Sequence, residues 1–369
     1  MSTKPFNFYA TPIGSSYKKN LEESFDSSDV DVTKEYFAHE VETPKYPKNS
    51  KVLVLDGDVI SFKVAAVSDD RVIVVKKNNT TKEFKNRTEF KKLCKLKGWD
   101  YDSFVVTDLL KPVPIENCLG VLKRAVKNAM ERVKATHFEL YIGGSGNFRD
   151  QLPLPEKYKG SRTGGIRPTY LSDCKDYLIK YKGAKRIKGR ECDDFVQQRM
   201  FELNQQGIEA VLYSNDKDAR IEWRYPITIY NPDKDDIVTY KDGLGELWIQ
   251  DGKHLKGSGL KWLISQSMIV GDVTDCYLPR HFFNKQYGAK TWYKDVCDIE
   301  DTTEFLQFAV DKFKSLVGDE ATYTDWTGVT HSKNWLEVAE MYFSCAYMRV
   351  YSEDETTLES LLKEHDVEY

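Results

Sequence analysis

Short apolar runs alternate with helical patterns along the first two thirds of the chain. Three runs have the length and composition of buried strands, namely KVLVLD (51–56), HFELYI (137–142) and EAVLYS (209–214). Apolar residues recur at helical spacing over about 114–135, 171–182 and 191–205. Strands that alternate with helices predict an α/β fold, with a mostly parallel central sheet flanked by helices.

The segments on either side of this core have different patterns. Residues 1–50 are polar, rich in serine and lysine, and weakly periodic, which predicts an arm that is irregular unless a partner or the core holds it. From about residue 260 the pattern is helical, with candidate helices at 260–270, 289–297, 303–316, 332–350 and 356–364. We therefore expect an N-terminal arm (1–50), an α/β core (51–270) and a C-terminal helical region (271–369).

The composition narrows the class of protein. A chain of 369 residues with 40% hydrophobic content can bury a large core. It contains no apolar run of membrane-spanning length and no signal-peptide-like segment near residue 1, so we expect a cytoplasmic protein without a membrane partner. Seven cysteines without a CxxC pair, and six scattered histidines, are not typical of a disulfide scaffold or a zinc site. A metal here should therefore be held by oxygen ligands.

The net charge of −4 hides two strongly basic segments. Residues 76–97 carry nine Lys or Arg against two acids, a pattern that a solvated lysine-rich helix face explains equally well. Residues 157–190 carry eleven Lys or Arg against two acids. In this second segment the cations are interleaved with aromatic residues, as in proteins that bind single-stranded nucleic acid. The aromatic residues are Tyr158, Tyr170, Tyr177 and Tyr181.

Acidic residues cluster where the predicted strands end or where a neighbouring helix begins. The clusters are Asp56; Glu191, Asp193 and Asp194; Asp216 and Asp218; and Asp272 and Asp275. Taken singly, each has an ordinary explanation, such as a turn dipeptide or the favourable dipole at a helix start. Because parallel sheets bind ligands beyond the carboxyl ends of their strands, we expect all four clusters at one edge. So many carboxylates predict bound cations, and two Mg²⁺ or Mn²⁺ ions are the usual device for phosphodiester hydrolysis.

Five motifs occur in a recognisable order, VLDGD, FRDQLPLPEKYKGSR, RECDDF, SNDKDAR and GDVTD. Together they resemble the flap endonuclease and 5′–3′ exonuclease superfamily, a PIN-like fold, and most of all its phage replication exonucleases. The resemblance covers about residues 51–297. It implies that the four acidic clusters bind metal, and that residues 145–190 form a helical arch for a single-stranded 5′ end.

The resemblance also implies roles for basic and aromatic residues. Lys159 and Arg162 fall on the cations that contact the scissile phosphate, and Tyr158 falls on an aromatic residue that stacks against the terminal base. Residues expected to contact nucleic acid are Arg149, Lys157, Arg167, Lys182, Lys290 and Thr291.

The chain departs from the family pattern in two places. Gly144 stands where the family has a carboxylate, in YIGGSGNFR. We expect water to complete the metal shell there, because Asp58 should point away at a helix start and Asp150 should cap the arch. On this basis Gly144→Asp should improve cleavage with Mg²⁺. The family's glycine-paired hairpin is also rewritten, as CYLPRHFFNKQYGAKTW, so the C-terminal region should be only a modified helix-hairpin-helix.

These features predict a metal-dependent 5′–3′ exonuclease or flap endonuclease that acts on DNA or RNA–DNA hybrids during phage replication. Primer removal, nucleotide supply, a location in the host cytoplasm and contacts with other replication proteins would follow. Gly144 motivates an alternative, a catalytically weakened DNA-binding replication protein. A PIN-type ribonuclease is a third reading, although PIN domains are usually shorter.

Overall fold

The computed structural model describes residues 43–162, 165–351 and 354–369. Its strands are β1 (Lys51–Asp56), β2 (Asp69–Lys77), β3 (Thr80–Phe84), β4 (Val105–Pro112), β5 (His137–Gly143), β6 (Lys185–Ile187), β7 (Glu209–Tyr213), β8 (Ile227–Asn231), β9 (Asp236–Tyr240), β10 (Leu247–Gln250), β11 (His254–Gly257), β12 (Glu320–Thr324) and β13 (Thr330–Asn334). Its α-helices are α1 (Gly57–Val67), α2 (Arg87–Lys97), α3 (Ile115–Val133), α4 (Leu171–Lys182), α5 (Cys192–Gln205), α6 (Gly259–Ser265), α7 (Ala289–Val296), α8 (Thr302–Val317), α9 (Trp335–Ala346) and α10 (Leu358–Glu364).

A six-stranded sheet in the order β6-β5-β1-β7-β8-β9 forms the centre of the α/β core. All of its pairings are parallel except β8 with β9, which confirms the predicted mostly parallel sheet. The three predicted strands are β1, β5 and β7, which lie side by side at its centre. Both faces are covered, as a parallel sheet requires. Helices α1, α3 and α4 pack on one face and α5 packs on the other.

The DGD sequence after β1 turns the chain directly from the sheet into α1. Asp56 caps this helix, with its side chain accepting from the backbone nitrogens of Asp58 and Val59. A side chain at position 57 would not fit, because its Cβ would lie 2.5 Å from the carbonyl oxygen of Tyr141 on β5. Glycine at 57 thus lets the helix start close against the neighbouring strand, which keeps Asp56 at the sheet edge.

An insertion between α1 and α3 contains the basic segment 76–97. Strands β3, β2 and β4 form an antiparallel sheet, and α2 packs on it over a separate small core of Ile73, Val75, Phe90 and Cys94. The sequence did not predict these strands, since most side chains of β3 and β4 are exposed.

The C-terminal region is mainly helical, as predicted, but it also contains the β12–β13 hairpin. Residues 330–334 form β13, although we expected a helix over 332–350, and α9 begins at Trp335. The hydrophobic core of this region includes residues from β10, β11 and α6, which precede the predicted boundary at residue 270. The predicted helix 260–270 is α6 followed by a π-helical turn at Gln266–Val270.

The predicted N-terminal arm is mostly outside the described residues, since residues 1–42 are not among them. Its last residues contact the core, where Tyr46 packs on the α5 face of the sheet. None of the helices in the described parts of the chain is long and apolar enough to span a bilayer.

Candidate active site

A cavity of about 770 Å³ opens at the carboxyl ends of β1, β5 and β7. Seven of the eight predicted metal-binding carboxylates line it, namely Asp56, Glu191, Asp193, Asp194, Asp216, Asp218 and Asp275. They come from a strand end, a helix start and two loops that are far apart in the chain. The structure thus brings seven of these side chains together at one edge of the sheet, as we predicted for the acidic clusters. We call this space the acidic cavity.

Several carboxylates in the acidic cavity ionise less readily than a free acid. Burial, with Asp58 as a neighbour, raises the pKa of Asp56 to about 6. Burial and Asp216 raise the pKa of Asp218 to about 7. Burial, then Asp56, raises the pKa of Asp193 well above its usual range. Each of these groups would ionise more readily beside a cation.

The donor set fits a divalent metal. One carboxylate oxygen of Asp218, Oδ1, is buried without a hydrogen-bond partner among the described residues. Carboxylate oxygens are the preferred ligands of Mg²⁺, and Mn²⁺ accepts them as well. Asp56, Asp193, Asp216 and Asp218 bring several carboxylate oxygens to the same cavity, and a cation close to Asp218 would bind its buried oxygen, which accepts no hydrogen bond from the described residues.

Asp272 is the one predicted metal-binding carboxylate that is not on the lining of the acidic cavity. Its carboxylate pairs with Lys217, whose Nζ is 2.8 Å from Oδ2, and it accepts from the backbone nitrogen of Thr274 at 2.6 Å. Burial would raise its pKa, but Lys217 and these backbone donors lower it. Asp272 is therefore an ionised, fully engaged carboxylate that does not line the acidic cavity.

Two predicted catalytic cations project among the acids. Lys159 contacts the carboxylate of Glu191 and lies 3.8 Å from Asp275. Arg162 contacts the other oxygen of Asp275 at 2.5 Å. Burial alone would lower the pKa of Lys159, but Glu191 and Asp275 raise it, so this side chain stays positively charged.

Tyr158 occupies a different environment from the one that base stacking requires. Its ring is only 4% exposed and packs near-parallel to Tyr277, with 6.4 Å between ring centroids. Its hydroxyl donates to Glu191 at 3.2 Å and to Asp275 at 3.3 Å. In this position Tyr158 orients two carboxylates, and its ring is not accessible to a terminal base.

Arg149, expected to contact nucleic acid, is instead buried, with 2% of its surface exposed. It binds both oxygens of Asp194, and its other donors reach the carbonyl oxygens of Ser344, Cys345 and Tyr347. The expectation for Arg149 is corrected, because a phosphate cannot reach a guanidinium enclosed in this way. Asp194 is equally enclosed, at 0% exposure, so its two oxygens serve Arg149.

The remaining predicted nucleic-acid residues are distributed unevenly around the cavity. Arg167 is exposed and lines it. Lys157 is exposed near it, with its ammonium 4.9 Å from the ring centre of Trp326. Lys182 is the half-buried last residue of α4, and Lys290 and Thr291 are exposed in the first turn of α7, outside the cavity lining.

Comparison with known proteins gives similarity only at the level of structure. No family profile and no curated protein matches the chain. Among solved structures, the chain is similar to 5′ nucleases of bacteriophage T5. The T5 5′-exonuclease with bound zinc gives a TM-score of 0.44 at 13% identity, over 85% of this chain and 98% of that one. The T5 flap endonuclease in a pseudo-enzyme–product complex with DNA and metal ions gives 0.43 at 11% identity, over 85% and 97%.

The T5 proteins are of the kind that the five motifs resemble.

The structure also brings side chains into the acidic cavity that the sequence did not assign, among them those of Asp58, Lys175 and Cys192. Asp58, which we expected to point away, lines the cavity, and its Oδ1 lies 2.7 Å from Nζ of Lys175. Cys192 lies between Glu191 and Asp193 in the chain and places its sulfur near Asp56 and Asp58. The DGD and ECDD sequences contained the signal for Asp58 and Cys192, but only the fold shows which way their side chains point.

Gly144 has no room for the carboxylate that we expected to be beneficial there. A Cβ at this position would lie 2.4 Å from the backbone oxygen of Ile187, and the nitrogen of Gly144 donates to that same oxygen at 2.6 Å. An aspartate could enter only if β6 moved. The expectation that Gly144→Asp improves cleavage is therefore contradicted.

Proposed function

We propose that this chain is a metal-dependent 5′ nuclease that hydrolyses phosphodiester bonds at the 5′ ends or flaps of DNA or RNA–DNA hybrids. One observation supports this proposal above the others. Carboxylates from four separate segments line one cavity together with the cations Lys159 and Arg162. Phosphodiester hydrolysis by this route needs carboxylates that hold divalent ions and, beside them, cations that contact the phosphate.

The carboxylates of Asp56, Asp193, Asp216 and Asp218 would hold the divalent ions, two Mg²⁺ or Mn²⁺ in our proposal. Bound ions of this type lower the pKa of water and stabilise negative charge on phosphate oxygens. Asp218 is the favoured ligand among these four, because its buried Oδ1 has no hydrogen-bond partner among the described residues and only the ammonium of Lys217, 3.7 Å away, faces it. Glu191 and Asp275 contact Lys159 instead and fix its position.

Lys159 and Arg162 would stabilise the charge that develops on the scissile phosphate. Lys159 is held rigidly, since its backbone nitrogen donates to the carbonyl oxygen of Asp275 at 2.8 Å and its φ is +54°. A positively charged group fixed in a partly buried site acts more strongly than one in water, because it needs no reorganisation during the reaction. Arg162 is about half exposed and so faces incoming substrate.

The residues around the entrance favour a phosphate-bearing substrate. Arg167 and Lys175 line the cavity beside Lys159, and Arg162 lines it as well. The cavity is much larger than a single phosphate needs, which fits a strand that passes through. Primer removal and nucleotide supply during phage replication are the roles we propose for such an enzyme, acting in the host cytoplasm.

A catalytically weakened DNA-binding protein was the alternative that Gly144 motivated. This alternative depends on a missing carboxylate at position 144. Asp58 weakens it, because Asp58 places a carboxylate beside Gly143 in the cavity. The acidic lining also opposes a pure binding role, since uncompensated carboxylates repel phosphate.

A panel of labelled substrates tests the proposal. Matched 5′-flap, 3′-flap, blunt duplex and RNA–DNA hybrid substrates are incubated with Mg²⁺, Mn²⁺ or EDTA. We expect products that are released from 5′ ends or 5′ flaps and not from the 3′ flap, and we expect them only with a divalent ion. Tight binding of the flap without any product, with either ion, would favour the DNA-binding alternative.

A further inference from the structure

The carboxylate of Asp58 lies over the end of β5, where the chain has glycines in place of a side chain. A Cβ built on Gly143 would be 2.6 Å from Oδ2 of Asp58. The same oxygen accepts a hydrogen bond from the nitrogen of Gly143 at 3.1 Å. Asp58 therefore occupies the space that a side chain from the strand end would fill, and it reaches that space from the first turn of α1.

Gly144 cannot take this role itself. Its Cβ direction is closed by the oxygen of Ile187 at 2.4 Å, so a side chain at 144 would meet the β6 backbone rather than enter the acidic cavity. A carboxylate on this side of the cavity must then come from another element. Asp58 is on the cavity lining, and so is Asp150, an exposed residue of the segment that we expected to form the arch.

Asp58 stands beside other donor atoms. One ligand atom from each of Asp56, Asp58 and Cys192 lies within 4.8 Å of the others, which is close enough for one ion to contact all three. Asp56 and Cys192 are almost fully buried, and Asp58 is half-buried. Two of the three donor residues are thus enclosed, and the third, Asp58, is partly open to solvent.

We propose that Asp58 is a metal ligand of this chain, supplying from α1 the carboxylate that the glycines at the end of β5 cannot supply. This inference rests on the proposed metal-dependent function of the acidic cavity. The two carboxylate oxygens at this corner suit Mn²⁺ and Mg²⁺ alike, whereas burial raises the pKa of the Cys192 thiol and opposes the thiolate that would bind a softer metal.

Lys175 provides the competing explanation of Asp58. Its ammonium lies 2.7 Å from Oδ1 of Asp58, so the carboxylate could serve only to tie α4 to α1. The two roles predict different effects of removing Asp58 and of removing Lys175. If Asp58 is a ligand, Lys175 competes with the ion, and removing Lys175 leaves metal binding unchanged or strengthens it. If Asp58 is only an anchor, removing either partner has the same effect.

Mn²⁺ alone is the probe, and its binding to the full-length protein is followed by electron paramagnetic resonance and calorimetry. The variants are Asp58→Asn, Lys175→Met and, as a matched control on the same cavity wall, Asp150→Asn. We expect Asp58→Asn to raise the dissociation constant of Mn²⁺ by about tenfold or more, since even outer-shell partners of metal ligands act on this scale. Asp150→Asn should leave it unchanged, and Lys175→Met should leave it unchanged or lower it.

Wild-type affinity in Asp58→Asn, or equal weakening by Asp58→Asn and Lys175→Met, would overturn the inference. Asp193→Asn separates this failure from failure of the proposed function. If Asp193→Asn loses Mn²⁺ while Asp58→Asn does not, the metal site stands and only the role of Asp58 is wrong. If wild type binds no Mn²⁺, both are wrong. Should Asp58→Asn not fold, Asp58→Glu moves the carboxylate by one methylene and replaces it in the same comparison.

Discussion

Arg149 binds both carboxylate oxygens of Asp194, at 2.8 Å and 2.9 Å, in the interior of the protein. The same guanidinium donates to the carbonyl oxygen of Tyr347 at 2.6 Å, which joins the α5 start to the end of α9. This pair therefore connects the acidic helix of the candidate site with the C-terminal region. A buried ion pair of this kind is strongly destabilising when one partner is removed, because the other charge is left uncompensated.

Arg149→Met should accordingly lower the free energy of unfolding by about 3–5 kcal/mol, the scale for breaking a buried pair. Denaturant unfolding measures this change. Arg167→Met is the control, since Arg167 is exposed on the cavity rim and its loss should leave the unfolding midpoint unchanged. Equal, small effects from both substitutions would show that Arg149 is not the structural connection that its contacts indicate.

Divalent ions should stabilise the folded protein. Burial and mutual proximity oppose the ionisation of Asp56, Asp193 and Asp218, so a bound cation removes an unfavourable interaction that exists only in the folded state. We expect Mg²⁺ or Mn²⁺ to raise the melting temperature above that in EDTA. Asp218→Asn should raise the melting temperature in EDTA and reduce the shift that the ions cause. Superimposable melting curves of wild type in Mn²⁺ and in EDTA would argue against a populated metal site.

A side chain at position 144 should destabilise the sheet rather than improve the site. Gly144→Ala places a Cβ against the backbone of Ile187 and should cost about 1–3 kcal/mol, the range for overpacking. Gly120→Ala is a control that should change the stability in the opposite direction. Gly120 lies within α3, where the nearest atom to its Cβ is the flexible end of Arg124 at 3.6 Å, so alanine should stabilise by about 0.5–1 kcal/mol. Thermal unfolding of both variants gives the comparison, and a stable Gly144→Ala protein would show that β6 moves easily.

Asp354 should make the stability of the C-terminal region depend on acid pH. Burial would raise its pKa, but hydrogen bonds from Thr356, Tyr347 and the backbone lower it below the usual range. A carboxyl group with a lowered folded-state pKa stabilises the protein above its unfolded-state pKa, near 3.9, and that contribution disappears as the pH falls through the folded-state value. The difference in unfolding free energy between wild type and Asp354→Asn should therefore be constant near neutral pH and shrink below about pH 4. A difference that does not shrink on acidification through this range would contradict the lowered pKa.

The sequence predicted the parts of the fold that bury apolar runs. The central strands β1, β5 and β7 were found because parallel strands covered on both faces are almost continuously apolar. The insertion strands were missed for the opposite reason, since TTKEF of β3 is mostly exposed and polar. The β13 sequence THSKN alternates between exposed and half-buried positions just before a strongly helical segment, so the helical pattern hid it.

The candidate site was predictable where residue type alone determines the chemistry. Carboxylates at strand ends and helix starts were sufficient to indicate the acidic cavity. The direction of a side chain was not predictable in the same way, as Asp58 shows. Nor was the burial of Arg149, because the carbonyl groups that enclose it come from Ser344 and Cys345, which lie 195 and 196 positions later in the chain.

The most direct test of a metal-dependent nuclease is the single-turnover cleavage of a 5′-flap substrate by wild type and Asp216→Asn. Asp216 lines the acidic cavity, and asparagine keeps its shape while removing its charge. DNA binding is measured on the same substrate in EDTA, where no cleavage should occur. We predict that wild type cleaves in Mg²⁺ or Mn²⁺ and that Asp216→Asn does not cleave but binds the flap as tightly or more tightly. Cleavage that survives EDTA, or Asp216→Asn protein that cleaves at the wild-type rate, would contradict the assignment of the acidic cavity as the active site.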